Sequence, residues 1–280
     1  MTDVRVWVDG GRVPADGPAV SAVDHGVTVG DGAFETAKVV GGRAFAVSRH
    51  LARLDRSMAG LGLPPADHDL IRAGVADVLG GDPIAFGRLR WTVTAGPGPL
   101  GSDRLGSRLT HIVTAVPHEP PAASGAVVTV PWVRNERSAT AGLKTTSYAD
   151  NVVALAHAQE RGAVEAVFAN TRGELCEATG SNVFVVLDGV VRTPPLSSGC
   201  LAGITRALVL EWCAADGVEV CEEDLPLDVL QRAEEVFITS SIKDVMPVSA
   251  VDGRPLPAPG PVTRTVQGVW ARHAERSDDP

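Results

Sequence analysis

Lysine is nearly missing from this 280-residue chain: of 25 basic residues, only Lys38, Lys144 and Lys243 are lysines, which leaves 22 arginines. Aromatic residues make up 4%, and tyrosine occurs once, at Tyr148. The arginine excess fits a coding bias toward Arg and Ala, yet the scarcity is useful, because chemistry that needs a lysine amine has three candidates. Other absences exclude whole classes. No apolar run reaches the ~18 residues of a membrane helix. The opening Met1-Thr2-Asp3-Val4-Arg5 has no basic segment followed by an apolar one, so no export signal is expected. The four cysteines, Cys176, Cys200, Cys213 and Cys221, show no CxxC spacing, so reduced thiols and a cytoplasmic location are expected. The seven histidines form no HxH or HExxH pattern, so no metal site is expected. With a net charge of −9, the chain lacks the basic balance of a nucleic-acid or anionic-membrane binder.

What is present is ordinary globular composition, 44% hydrophobic and 21% charged, at a length suited to one large or two moderate domains. Strand and hairpin signals open the chain: Val4 to Val8 before Asp9-Gly10-Gly11, then Phe34 to Val40 before Gly41-Gly42. Helical spacing appears over 49–60, with Leu51, Leu54 and Met58 in phase and Ser48 as candidate N-cap, and again over 67–79. Strands follow at Arg88 to Ala95 and Leu109 to Val116. The Pro/Ala-rich stretch 117–125 reads as a linker. Beyond it, 150–161, 204–215 and 262–275 read as helices, and Asp188-Gly189 joins a hairpin of Asn182–Leu187 with Val190–Thr193. The expectation is an α+β protein with a smaller N-terminal domain (1–116), a linker (117–125) and a larger C-terminal domain (126–280).

Lys144 sits in Thr140-Ala141-Gly142-Leu143-Lys144-Thr145-Thr146-Ser147-Tyr148. A Schiff-base lysine needs a tight, partly desolvated setting that leaves the neutral amine accessible. This segment alone also suits a surface loop. Gly203-Ile204-Thr205 opens a helix whose first N–H groups and dipole favour an anion. Taken alone, it is a common helix start. Glu177, beside a cysteine and small residues, could pair with a ring nitrogen or could be a solvated glutamate.

The spacing across these segments is more specific. Glu177 is followed five residues on by Asn182, two further by Phe184, then by Thr193 and Gly203-Ile204-Thr205-Arg206. This order resembles the signature of the class IV aminotransferases, the fold type IV enzymes of pyridoxal 5′-phosphate (PLP). Gly30-Asp31-Gly32-Ala33-Phe34-Glu35-Thr36, His50-Leu51-Ala52-Arg53-Leu54 and Glu235-Val236-Phe237-Ile238-Thr239-Ser240-Ser241 are similar to that family too. The resemblance spans nearly the whole chain. It implies two α/β domains with the cofactor between them and a homodimer, because family active sites sit near the subunit interface. It implies that Lys144 carries PLP as a Schiff base and moves the proton at the substrate carbon. Glu177 would keep the pyridine nitrogen protonated, making the ring an electron sink. Arg53, the N–H groups of Ile204 and Thr205, the Thr205 hydroxyl and Ser241 would hold the phosphate. Tyr148 would lie near the phenolic oxygen or serve as a packing residue.

On the substrate side, alternation puts Phe34, Thr36 and Lys38 on one face of their strand and Arg88, Arg90 and Thr92 on one face of theirs. If these faces line a pocket, Lys38, Arg88 and Arg90 make it suited to a carboxylate-bearing amine; otherwise some of these charges face solvent. D-amino-acid aminotransferases have a tyrosine where Phe34 stands and an Arg-x-His trap where this chain has Leu100 and Ser102. Branched-chain members show Phe-Glu-Gly-x-Arg where this chain has Phe-Glu-Thr-Ala-Lys, although Arg90 falls where they carry a carboxylate-binding arginine. The Gly-Asp-Gly-x-Phe-x-Thr-Ala-Lys run and the Gly-Leu-Lys context are most similar to the 4-amino-4-deoxychorismate lyases, which release 4-aminobenzoate and pyruvate. An amino-acid transaminase, of branched-chain rather than D-amino-acid type, is the alternative. Lys243 receives no role.

Overall fold

A computed structural model describes residues 3–106 and 108–280; Met1 and Thr2, part of the stretch read for an export signal, and Ser107 lie outside the described residues. The chain divides into two compact units. The first holds the chain up to Pro120 together with Leu143–Tyr148 and Asp278–Pro280; the second holds Pro121–Gly142 and Ala149–Ser277. The sequence assigned everything after 126 to one domain, whereas two short segments from that region pack with the first unit.

In the first unit, β1 (Arg5–Val8), β2 (Gly11–Val13), β3 (Gly32–Val40), β4 (Arg43–Ala44), β5 (Phe86–Thr94) and β6 (Thr110–Pro117) form an antiparallel sheet ordered β2-β1-β6-β5-β3-β4. A single turn, α1 (His25–Thr28), precedes β3; α2 (Val47–Gly60) and α3 (His68–Leu79) lie between β4 and β5 in sequence. β5 alternates between buried and more exposed residues, whereas β3 is buried on both faces except at Thr36 and Val40. Ala37 and Val39 of β3, and Leu89, Trp91 and Val93 of β5, are fully buried with Leu51, Leu54 and Met58 of α2 and Ile71 and Val78 of α3. The opposite face is left to Phe34, Thr36, Lys38, Arg88, Arg90 and Thr92.

The start of α2 departs from the sequence expectation. It begins at Val47, with Ala46 at φ 58° as the cap residue and no local side chain bonding to the exposed turn. Ser48 is not the N-cap. Its N–H and hydroxyl donate to the Asp279 carboxylate at 2.9 and 2.6 Å, and Ala46 N–H donates to the Asp278 carbonyl at 2.6 Å. The cap is therefore supplied from the far end of the chain.

The second unit is a mixed sheet ordered β12-β11-β10-β13-β14-β7-β8-β9, with β15 paired to β14. Its strands are β7 (Gly125–Arg134), β8 (Glu165–Asn170), β9 (Leu175–Ala178), β10 (Asn182–Leu187), β11 (Val190–Thr193), β12 (Val220–Glu222), β13 (Glu235–Ser240), β14 (Asp244–Val251) and β15 (Arg254–Pro255). Its helices are α4 (Ala149–Gln159), α5 (Ile204–Ala215), α6 (Val229–Arg232) and α7 (Pro261–Ala274). The Asp188-Gly189 hairpin joins β10 to β11 in the register Val185–Arg192. Ala154 and Ala158 of α4 pack with Val128, Val130, Ala166 and Phe168. Trp212 of α5 meets Trp270 of α7 at 4.9 Å between ring centroids. Two strands, β9 and β14, carry no clear sequence signal. β14 contains Pro247, which normally argues against an interior strand; the structure accommodates it beside a register shift between Val248 and Ala250.

Candidate active site

In the first unit, the lysine segment is held as an extra edge beside the start of β3. Phe34 N–H donates to the Lys144 carbonyl at 3.0 Å, Thr145 bridges to Ala33, and Thr146 N–H donates to the Gly32 carbonyl at 2.8 Å. The Thr146 and Ser147 hydroxyls donate to the Gly30 carbonyl at 2.7 and 3.0 Å, and the Ser57 hydroxyl of α2 accepts the Lys144 N–H at 3.1 Å. The small and hydroxyl residues around Lys144 are thus the clamps of this edge.

That edge aims the amine at the polar face of β3 and β5. Lys144 Nζ lies 4.5 Å from the Phe34 ring centroid and 5.8 Å from that of Tyr148. Tyr148 meets Phe34 edge-on at 5.2 Å. The Arg90 guanidinium stacks on Phe34 at 3.6 Å, and its Nε donates to the Thr92 hydroxyl at 3.1 Å. Burial lowers the Arg90 pKa from its usual value, Tyr148 opposes that shift and Arg88 adds to it. None of these influences is a carboxylate, so among the described residues no acid neutralises the half-buried Arg90 cation. Lys38 is buried, lies 5.4 Å from the Phe45 ring centroid, and stands directly across the ladder from the exposed Arg88. Thr36, across from Arg90, is half-buried.

Arg53 takes a different setting. It is buried on the helix-packed side, where its Nε and Nη2 donate to the two carboxylate oxygens of Glu35 at 2.9 and 2.6 Å. His50 Nδ1 bonds the same carboxylate at 2.7 Å. Burial pushes the Glu35 pKa up, but Arg53 and His50 overcome it and hold the carboxyl at about 2. Burial lowers the His50 pKa, with Glu35 opposing the shift and Arg53 and Lys144 adding to it. Sequence reading singled out Arg53 and missed its two partners. Their signal was present: Glu35 alternates away from Phe34 toward α2, and His50 and Arg53 are three residues apart on one helical face.

In the second unit, Glu177 on β9 accepts the Leu201 N–H at 2.9 Å and stands 3.2 Å from Arg134 Nε. The Arg134 guanidinium also lies over Phe168 at 4.1 Å. Asn182 Nδ2 donates to the Leu201 carbonyl at 2.8 Å, so Glu177 and Asn182 grip both backbone groups of one residue. Two residues later α5 begins after Gly203, with Thr205 buried and no side chain capping the helix. A Cβ at Gly203 would fall 1.9 Å from Asn182 Oδ1, so the position requires glycine. Ser241 lies in the turn from β13 to β14, where Lys243 N–H donates to the Ser240 hydroxyl at 3.2 Å.

Residues 32–251 match the family of class IV amino-transferases. The chain belongs to that family. Among curated relatives, the chain is 32% identical to a putative branched-chain-amino-acid aminotransferase of Methanocaldococcus jannaschii, over 90% of this chain and 89% of that one. It is 31% identical to a D-alanine aminotransferase of Bacillus licheniformis, over 94% and 95% of the two chains. Among solved structures, a hypothetical aminotransferase of Mycobacterium tuberculosis in a PLP-bound form superposes with a TM-score of 0.85 at 26% identity, covering 99% of this chain and 100% of that one. Fold type IV is the architecture of this chain, and it is a PLP-dependent enzyme.

The donor set suits that cofactor. Within the first unit Lys144 supplies an amine, the group an aldehyde needs; within the second, Glu177 supplies a carboxylate of the kind that suits a pyridine nitrogen, and the uncapped start of α5 with buried Thr205 suits a phosphate. Among the described residues no cluster of three metal-ligating side chains occurs, and no helix is long and apolar enough to cross a membrane.

Proposed function

We propose that this aminotransferase-family enzyme is a lyase that converts 4-amino-4-deoxychorismate to 4-aminobenzoate and pyruvate, with Lys144 carrying PLP. In this reading Glu177 faces the pyridine nitrogen, Tyr148 the phenolic oxygen, and the Ile204 and Thr205 N–H groups, the Thr205 hydroxyl and Ser241 serve the phosphate; Arg53, with Nε and Nη2 committed to Glu35, would serve it only through Nη1. The observation that carries it is the face of β3 and β5 beside the Lys144 amine. It presents three cations, Lys38, Arg88 and Arg90, of which Arg90 is partly buried with no acid partner among the described residues, and Lys38 and Arg88 are neighbours across the ladder. Cations gathered on one face suit a substrate that bears two carboxylates.

PLP, when bound, supplies an electron sink conjugated to the substrate amine. The rest falls to the side chains. Arg90 holds one carboxylate, and Lys38 and Arg88 receive the other. Phe34 and Tyr148 wall off water around the Lys144 amine, which keeps it a competent base. Lys144 Nζ takes the proton from the amine-bearing carbon. The C–O bond to the three-carbon side chain then breaks, the ring becomes aromatic, and the departing enol of pyruvate gains a proton at its methylene carbon. The enzyme acts as a homodimer in the cytoplasm in this reading.

A second reading, an amino-acid transaminase, is favoured by the names of the 31–32% identical relatives. One assay separates the two. Purified protein given 4-amino-4-deoxychorismate should release equal amounts of pyruvate and 4-aminobenzoate. Absence of pyruvate, combined with conversion of the bound cofactor to its amine form by an amino acid, would replace the lyase by the transaminase.

A further inference from the structure

The third lysine, left without a role by the sequence, ends on a buried acid that touches the loop directly after Glu177 and Ala178. Glu165, at the start of β8, is 2% exposed. Its Oε2 accepts the Thr179 hydroxyl at 2.9 Å and the Gly180 N–H at 2.7 Å; its Oε1 accepts the Ser181 hydroxyl and Lys243 Nζ. Three of these four donors come from consecutive residues, 179–181, which form the whole connection between Glu177–Ala178 and Asn182. The fourth comes from a separate turn, the one containing Ser241. Asn151 of α4 holds the same connection from outside by donating to the Thr179 carbonyl.

A carboxylate this deeply buried needs both hydrogen bonds and a counter-charge. The 179–181 loop supplies neutral donors, and Lys243 supplies the charge. We propose that the Glu165–Lys243 pair is a positioning device that ties the Ser240–Lys243 turn to the Glu177–Asn182 loop and sets both for the cofactor. From that loop the link continues through Leu201, which Glu177 and Asn182 hold by its N–H and carbonyl, to the uncapped start of α5. One ion pair thus bears on three segments: that of the pyridine-nitrogen acid, that of Ser241, and the helix start at Ile204 and Thr205. The inference rests on the roles proposed above for Glu177, Thr205 and Ser241.

The test measures PLP affinity and the visible spectrum of bound PLP in Lys243→Met, in Lys243→Arg and in the double variant Glu165→Gln/Lys243→Met, with the melting temperature of each PLP-free protein. Lys243→Met should weaken PLP binding about 30-fold, the size of coupling expected within one buried network. It should also shift the pH dependence of the visible absorption, because Glu177 no longer meets the ring nitrogen in one geometry. Lys243→Arg, which keeps the charge, should stay within about threefold of the wild type. The double variant removes both charges while its amide still bonds the loop, so it should recover most of the lost affinity. The proposal is overturned if Lys243→Met lowers only the melting temperature and leaves affinity and spectrum unchanged, or if the double variant binds no better than the single one. Failure of the underlying reading looks different: Glu177→Gln and Thr205→Ala would then leave PLP binding and spectrum at wild-type values.

Discussion

At the scale of single residues, two cations converge on Phe34. The Lys144 amine and the Arg90 guanidinium both lie over its ring, at 4.5 and 3.6 Å. Among the described residues no acid neutralises Arg90, and in the proposed reading its charge meets a substrate carboxylate. Arg90→Leu should raise KM for the carboxylate substrate on the order of 100-fold, the worth of a charge-assisted bidentate pair, with a smaller effect on kcat. Steady-state kinetics check this, and an unchanged KM would remove Arg90 from the substrate site. On the opposite face, Glu35 titrates at about 2 against an ordinary 4.5, and His50 below its ordinary 6.5. Both depressed values mean that the folded state binds fewer protons than the unfolded chain, so both contribute stability at higher pH. The His50 share is lost as pH falls below about 6.5, and the Glu35 share as pH falls from about 4.5 toward 2. Melting temperature measured against pH should therefore decline on the acid side. Glu35→Gln should remove the lower part of that decline and cost about 3–5 kcal/mol at neutral pH, because it removes the buried carboxylate that Arg53 and His50 share. Of these residues, Lys144, Arg90 and Arg53 stood out in the sequence, whereas Glu35, Arg134 and Glu165 did not. The former are marked by rarity or motif; the latter matter through what folds against them, which no local pattern records.

At the scale of elements, whatever depends on a local repeat was legible. The two-residue alternation of β3 and β5 puts Lys38, Arg88 and Arg90 on one face and the apolar residues on the other, and Asp188-Gly189 marks its hairpin. What depends on distant partners was not. The α2 helix starts two residues earlier than its apolar spacing suggests, because Asp279 supplies its cap from 231 residues away. Asp279→Ala should cost about 1 kcal/mol, the usual loss for an N-cap, read as a lower denaturation midpoint with an unchanged slope. β14 was hidden by Pro247, and β9 was too short to separate from its turn. Gly203 is a second element-level device, since its missing Cβ is what lets Asn182 reach Leu201. Gly203→Ala should weaken PLP binding at least tenfold, measured by dialysis, even though its φ of −66° is open to any residue.

At the scale of the whole chain, the sequence gives composition class, α+β architecture and family, because these rest on many weak signals that agree. The boundary between units is subtler. Leu143–Tyr148, in the middle of the later sequence, joins the first unit through strand-like bonds to Gly30–Phe34, and Asp278–Pro280 joins it through the cap of α2. Strand pairing across more than a hundred residues of sequence leaves no periodic trace, so a linker-based division misses it. The same pairing brings Lys144 to Phe34, which makes the assignment of the cofactor lysine a claim about the fold as well as about a motif. The chain offers three lysines to the aldehyde, and the account assigns it to one. Borohydride reduction of the purified holoenzyme, followed by proteolysis and mass spectrometry, reads that assignment directly. The account predicts the reduced cofactor on Lys144 alone and none in Lys144→Ala. Modification of Lys38 or Lys243 in the wild-type enzyme, or of no lysine at all, would contradict it.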